Sequence, residues 1–370
     1  MKNTLMPLIL IVTGSACAQS WVSPEVDADG RVTFRLRAVE ARDVKLRLET
    51  VGTRPMKKDD RGVWSLTTDP LQPDIYAYSF FVDGLQTIDR GNPLLKYNLL
   101  STESQVHVPG PGTLVWEIGD VPHGVIHRHL YRSAIVGDDR PFLVYTPPGY
   151  NPAAELPYPV LYLLHGYSDA EDAWVTVGRA NVILDNLIAR GRAKPMLVVM
   201  PLGYGNREVI AGGWAGLRNA AVWRGSIEKF RDSLLREVIP QVEKAYHVDT
   251  DPNSRAIAGL SMGGTQSLFI GLSAPERFGW IGAFSSGGLD ANFDTQHPTV
   301  GKGINARVRL LWMGCGQQDG LIGINRKLVE WLKSKGVAVT WVETPGSHSF
   351  MVWRRYLADF LPLLFQDKRE

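Results

Sequence analysis

Six short apolar runs recur along the second half of the chain, at residues 160–164, 196–200, 255–259, 280–284, 307–313 and 338–343. Between them lie stretches with helical spacing, most clearly 226–244, where Ile227, Phe230, Leu234, Val238 and Val242 fall on one face. Continuous apolar runs suit strands covered on both faces, and their alternation with helices predicts a mostly parallel sheet with helices on either side. The fold class read here is therefore α/β, over residues 124–370.

The region before it has a different rhythm. Val32, Phe34 and Leu36 alternate with polar residues, as do Val44, Leu46 and Leu48, and 75–82 continues the pattern before an Asp83-Gly84 turn. Short alternating strands between Gly, Pro and Asp clusters predict a small β-sandwich over 19–108. Pro109-Gly110-Pro111-Gly112 opens a linker over 109–123.

The first residues read as an export signal. Lys2 gives the positive end, 5–12 a short apolar core, and Ala16-Cys17-Ala18 a small-residue cleavage site, so residues 1–18 are expected to be removed. The apolar core is well short of the roughly 20 residues that span a bilayer. Cleavage after Ala18 would leave Cys315 as the one thiol, with no internal disulfide, and a secreted or periplasmic product. With 40 Lys and Arg against 38 Asp and Glu, the charge balance offers nothing to nucleic acid or an anionic membrane.

Gly259-Leu260-Ser261-Met262-Gly263 is the most informative motif. It follows a predicted strand and opens a predicted helix. The glycines allow a turn sharp enough to push the serine hydroxyl out at the strand's carboxyl end, and the helix start aims N–H groups at developing negative charge. A serine hydroxyl needs a base, and the base an orienting acid, arriving in this fold as Ser, then Asp or Glu, then His. Downstream histidines are His297 and His348. His297 comes too early to leave room for an acid-bearing strand; His348 follows the last predicted strand. Asp319 lies between serine and base, after the 307–313 strand, whereas Asp290 and Asp294 sit one strand too early.

Two N–H donors should face the oxyanion: that of Met262, and that of Tyr167 or Gly166 after the 160–164 strand. His165 then reads as a structural neighbour of that loop. His123, His127 and His129 cluster, but without nearby carboxylates they read as part of a first strand rather than a zinc site. Trp214, Trp223 and Trp353 are candidates for substrate-binding walls. No metal or organic cofactor is required.

These residues resemble the esterase D / feruloyl esterase family, carbohydrate esterases that also include acetylxylan esterases. The resemblance covers about 124–366. It is carried by Val144-Tyr145-Thr146-Pro147-Pro148-Gly149-Tyr150, Leu161-Tyr162-Leu163-Leu164-His165-Gly166, 181–186, 259–264 and 346–353. The sandwich, with 60–64, 76–80 and 82–84, resembles the glycogen-binding-type module often fused to such enzymes. The resemblance implies an α/β-hydrolase fold with Ser261, Asp319 and His348 on the family triad and Tyr167 and Met262 on its oxyanion donors. It implies esters of ferulate or related hydroxycinnamates on xylan as substrate, with feruloylated or acetylated plant polysaccharide as the partner. The alternatives are an acetylxylan esterase, a siderophore esterase of the enterochelin type, and a carbohydrate-binding protein whose hydrolase domain has decayed. A siderophore would call for a cationic pocket, for which the loop around Trp214 and Trp223 offers Arg218 and Arg224.

Overall fold

The computed structural model describes residues 21–366 except 113 and 288–291. The expected export signal at 1–18, and Asp290, lie outside the described residues. From 125 onward the chain builds one eight-stranded sheet: β1 (Val125–Arg132), β2 (Asp139–Thr146), β3 (Val160–Leu164), β4 (Leu197–Pro201), β5 (Arg255–Leu260), β6 (Trp280–Phe284), β7 (Leu310–Gly316) and β8 (Thr340–Thr344). Their order is β1-β2-β4-β3-β5-β6-β7-β8. β2 runs antiparallel to both neighbours, and every pairing from β4 through β8 is parallel. This is the topology of the α/β-hydrolase fold.

Two apolar layers cover the sheet. One packs Trp174, Ile183 and Leu187 with Tyr356, Leu357 and Phe360 against one face; the other packs Ile227, Phe230, Leu234, Leu268 and Leu332 against the opposite face. Burial on both sides explains why β3, β4, β5 and β6 are apolar along their whole length. The strands read from the sequence omit β2, and the bounds of several other elements shift. The strand expected from 307 starts at Leu310, because Lys302–Ala306 closes into a 3-10 turn first. The helix expected over 226–244 begins at Ala220 and is interrupted by a π-helical turn at Leu234–Val238. Pro240, just beyond, has no N–H to donate back into the preceding turn, so the ladder shifts there.

Before this sheet stand a four-stranded and a six-stranded antiparallel sheet. Val32, Phe34, Leu46, Leu48, Trp64, Tyr78 and Phe80 fill the space between them, so the alternating residues point inward. The sandwich is anchored at its strand Asp74–Val82. The Asp74 carboxylate receives Arg354 Nη2 and Arg355 Nη2, each at 2.6 Å, and Arg354 also donates to the carbonyls of Ile75 and Val177. Asp74 and Arg354 are 0% and 1% exposed. The linker packs too: Trp116 is buried in the hydrolase core, and Asn186 donates to the carbonyls of Val115 and Glu117.

Candidate active site

Ser261 sits between β5 and the helix Met262–Ser273 with φ 51° and ψ −114°, a left-handed conformation that few side chains adopt. The chain can make this turn because both flanking glycines lack a Cβ. A Cβ on Gly259 would lie 2.8 Å from the Leu164 carbonyl oxygen, and one on Gly263 2.5 Å from the same atom. The turn is pinned by Ser261 N–H donating to Phe284 O at 2.8 Å.

Asp319 and His348 arrive from loops after β7 and β8, both at carboxyl ends of parallel strands. His348 Nε2 lies 3.0 Å from Ser261 Oγ, and His348 Nδ1 2.8 Å from Asp319 Oδ2. Asp319 Oδ1 also accepts the Leu321 N–H at 2.8 Å. Burial works against the Asp319 carboxylate, but hydrogen bonding and charge from His348, with help from Leu321 and Ser285, hold its pKa below the usual value. The Trp353 ring stands edge-on to His348, centroids 4.8 Å apart, and its Nε1 donates to Ser285 Oγ.

The loop after β3 closes on the serine, since a Cβ at Gly166 would come 3.6 Å from Ser261 Cβ. Neither Tyr167 N–H nor Met262 N–H donates to a backbone carbonyl outside a helix or strand among the described residues. Tyr167 Oη donates to Val209 O and to Gly213 O, tying the loop to the segment that carries Trp214. His165 is buried, accepts from Gly203 N–H at Nε2 and faces Gly166 O through Nδ1. Desolvation pushes its pKa down to about 4, so it is a neutral structural brace for the loop, as expected.

The loop is also held from outside the sheet. Asn98, in the sandwich, donates through Nδ2 to Ser168 Oγ at 2.8 Å and to Asp169 Oδ1 at 3.0 Å, and Leu99 N–H donates to Ser168 O at 2.7 Å. Ser168 itself is left-handed, at φ 68°. Nothing in the sequence around Asn98 signals this contact, which spans some seventy positions.

A cavity of about 850 Å³ opens over Ser261. Trp214, Trp223 and Trp353 all line it, as do Tyr167, Met262 and Phe350. Its other wall, which sequence reasoning missed, comes from the sandwich: Arg47, Lys96, Asn98, Ser101 and Glu103.

The residues set aside fall elsewhere. His297 is buried against Trp331, where desolvation lowers its pKa to about 4. Asp294 pairs with Lys335. His123, His127 and His129 turn to three separate partners, Asp185, Thr146 and Tyr246. Asp185 is the carboxylate that local sequence could not supply. Cys315 is buried and unpaired in β7.

The family model Esterase matches residues 133–364, more than half of the chain. A bifunctional endo-1,4-beta-xylanase/feruloyl esterase of Xylanibacter ruminicola is 33% identical over 354 residues, 93% of this chain but 46% of that protein. The chain thus spans about half the length of that curated relative. Among solved structures, a ferulic acid esterase of Anaeromyces mucronatus in complex with ferulic acid aligns with TM-score 0.60 and 24% identity, over 69% of this chain and 96% of that one. The enterobactin esterase of Shigella flexneri aligns with TM-score 0.66 and 19% identity, over 91% of this chain and 93% of that one. Both structural likenesses speak to the fold. Fold, sheet topology and matched residues agree: this chain belongs to the esterase family and has the α/β-hydrolase fold.

Proposed function

We propose that the chain cleaves hydroxycinnamoyl esters, ferulate foremost, from plant cell-wall xylan through an acyl-enzyme on Ser261. The observation that carries this reading is the Ser261–His348–Asp319 hydrogen-bond chain opening into a cavity walled by Trp214, Trp223 and Trp353. Ser261 Oγ attacks the ester carbonyl carbon while His348 Nε2 takes its proton. The carbonyl oxygen becomes an oxyanion between the N–H groups of Tyr167 and Met262. Collapse expels the alcohol, which takes the proton from His348. Water then repeats the sequence on the acyl-enzyme, releasing the acid and restoring Ser261. Asp319 fixes the imidazole and stabilises its charged form throughout.

Indole walls suit a planar aryl acid, whereas an acetyl group would leave most of the cavity unfilled. A second reading, siderophore ester hydrolysis, is favoured by the likeness of the enterobactin esterase to sandwich and sheet together. Against it, the ionised lining among the described residues sets Arg47 and Lys96 against Glu103, Asp169 and Asp319, with no cationic excess for an anionic catecholate. On the signal at 1–18 we also place the reaction outside the cytoplasm; the mass of the exported protein's N-terminus tests this, with cleavage after Ala18 expected.

Rates on methyl ferulate, acetylated xylan and enterobactin, measured side by side, test the substrate. Methyl ferulate should be preferred, and preference for either of the others overturns the assignment. Ser261→Ala should abolish both turnover and fluorophosphonate labelling; near-normal activity would remove the serine from the mechanism.

A further inference from the structure

The cavity has two chemically distinct walls. The sheet side presents indoles, Tyr167 and Phe350, while every sandwich residue that reaches the cavity is polar. The sandwich residues are not placed there to stabilise the sandwich core. Arg47 occupies an outward position in the alternating strand Val44–Leu48, and Lys96 and Glu103 stand directly opposite each other across a two-residue ladder. Glu103 organises the wall: Oε1 accepts Arg47 Nη2 at 2.6 Å and Oε2 accepts Lys96 Nζ at 3.2 Å. Burial disfavours the Lys96 ammonium, but Glu49, Glu103 and Asp169 around it keep it charged.

This arrangement leaves polar capacity on residues that line the cavity. Among the described residues Arg47 Nε and Nη1 and two of the three Lys96 protons have no protein acceptor, and the Ser101 hydroxyl accepts from Gln86 while its own proton is uncommitted. Two cations offset by Glu103 and Asp169 give a wall dense in hydrogen-bonding groups with little net charge. Such a surface suits hydroxyl groups, which both donate and accept, better than an anion.

We propose that Arg47, Lys96 and Glu103 form a subsite for an uncharged, polyhydroxylated part of the substrate, a sugar ring. The proposal rests on the reading that Ser261 opens an ester whose acyl group lies against the indoles. The sandwich thereby acts as a selectivity wall for the catalytic cavity, distinguishing sugar esters from simple alkyl esters that share the same acyl group.

The test compares kcat/KM on a feruloylated arabinoxylan oligosaccharide with kcat/KM on methyl ferulate, in the full chain and in Arg47→Ala and Arg47→Gln. Arg47 is half exposed, so neither substitution empties a core. Arg47→Ala should lower the oligosaccharide-to-methyl ratio about tenfold. Arg47→Gln, which keeps amide donors without the charge, should recover most of it. An unchanged ratio in Arg47→Ala, or equal losses on both esters, overturns the subsite. A glutamine variant as poor as the alanine one overturns its uncharged character. An unsubstituted protein that cleaves neither ester defeats the hydroxycinnamoyl reading itself, and the subsite with it.

Discussion

Asn98 Nδ2 lies 2.8 Å from Ser168 Oγ, joining the sandwich to the loop after β3 that carries Tyr167. The same nitrogen serves Asp169 Oδ1, and Asn98 Oδ1 is occupied by the N–H groups of Leu100 and Ser101. One amide therefore fixes two turns. Asn98→Ala frees the loop to drift, and drift of an oxyanion donor is felt in the transition state more than in the bound substrate. Steady-state kinetics on any ester the protein cleaves should show kcat lower by about tenfold with KM little changed. A rise in KM alone would contradict a positioning role.

Asp319→Asn tests the acid. The amide keeps the volume but cannot hold the imidazole in the required tautomer or support its positive charge. In a protease triad the same change lowers kcat by about 10⁴, and a loss of at least about 10³ is expected here. Circular dichroism and melting temperature should stay close to the unsubstituted protein, separating chemistry from folding. Because His348 and its neighbours depress the Asp319 pKa, the acid stays ionised through the ordinary carboxylate range.

Asp169 supplies a pH signature in stability. Desolvation raises its pKa to about 6, against 3.8 for a free carboxyl. The folded state then holds a proton that the unfolded state has lost, so the protonated form's relative stabilisation is complete below about pH 4 and disappears as pH rises through about 6. Asp169→Asn removes this slope. Melting temperatures from pH 4 to 8 should show the variant gaining on the unsubstituted protein as pH rises, by about 1–3 kcal/mol over the window. Parallel curves would contradict the shift.

Asp74 and Arg354 are both buried, so removing the Asp74 carboxylate leaves the Arg354 guanidinium in the interior without its counter-ion. Asp74→Asn should cost about 3–5 kcal/mol, read as a lower denaturation midpoint. Arg354→Met, which leaves Asp74 paired with Arg355, should cost less. Equal and negligible effects would mean that water reaches the pair.

Local pattern located most of the sheet, though not β2. β3 and β6 are readable to the residue because apolar runs covered on two faces have sharp ends, and the order Ser261, Asp319, His348 follows from which strand each loop leaves. Local pattern was insufficient where sequence-distant groups meet. Arg47 is one of several outward basic residues in its strand region until Glu103, more than fifty positions away, comes beside it. Asn98 reads as an ordinary turn residue until Ser168 is placed. The π-turn at Leu234–Val238 was within reach, since Pro240 was in view, but the helical spacing of the apolar face continues straight across it.

Helix Phe350–Phe360, which begins two residues after His348, carries Arg354 to the sandwich, while Asn98 carries the sandwich to the loop beside Tyr167. The sandwich therefore spans the serine like a calliper, with one jaw behind His348 and the other behind the loop that carries Tyr167. The gap between those two loops is braced by a part of the chain that contains neither Ser261, Asp319 nor His348. A splice at the Pro-Gly linker would part the sandwich from both of these contacts, however clean that boundary looks along the chain.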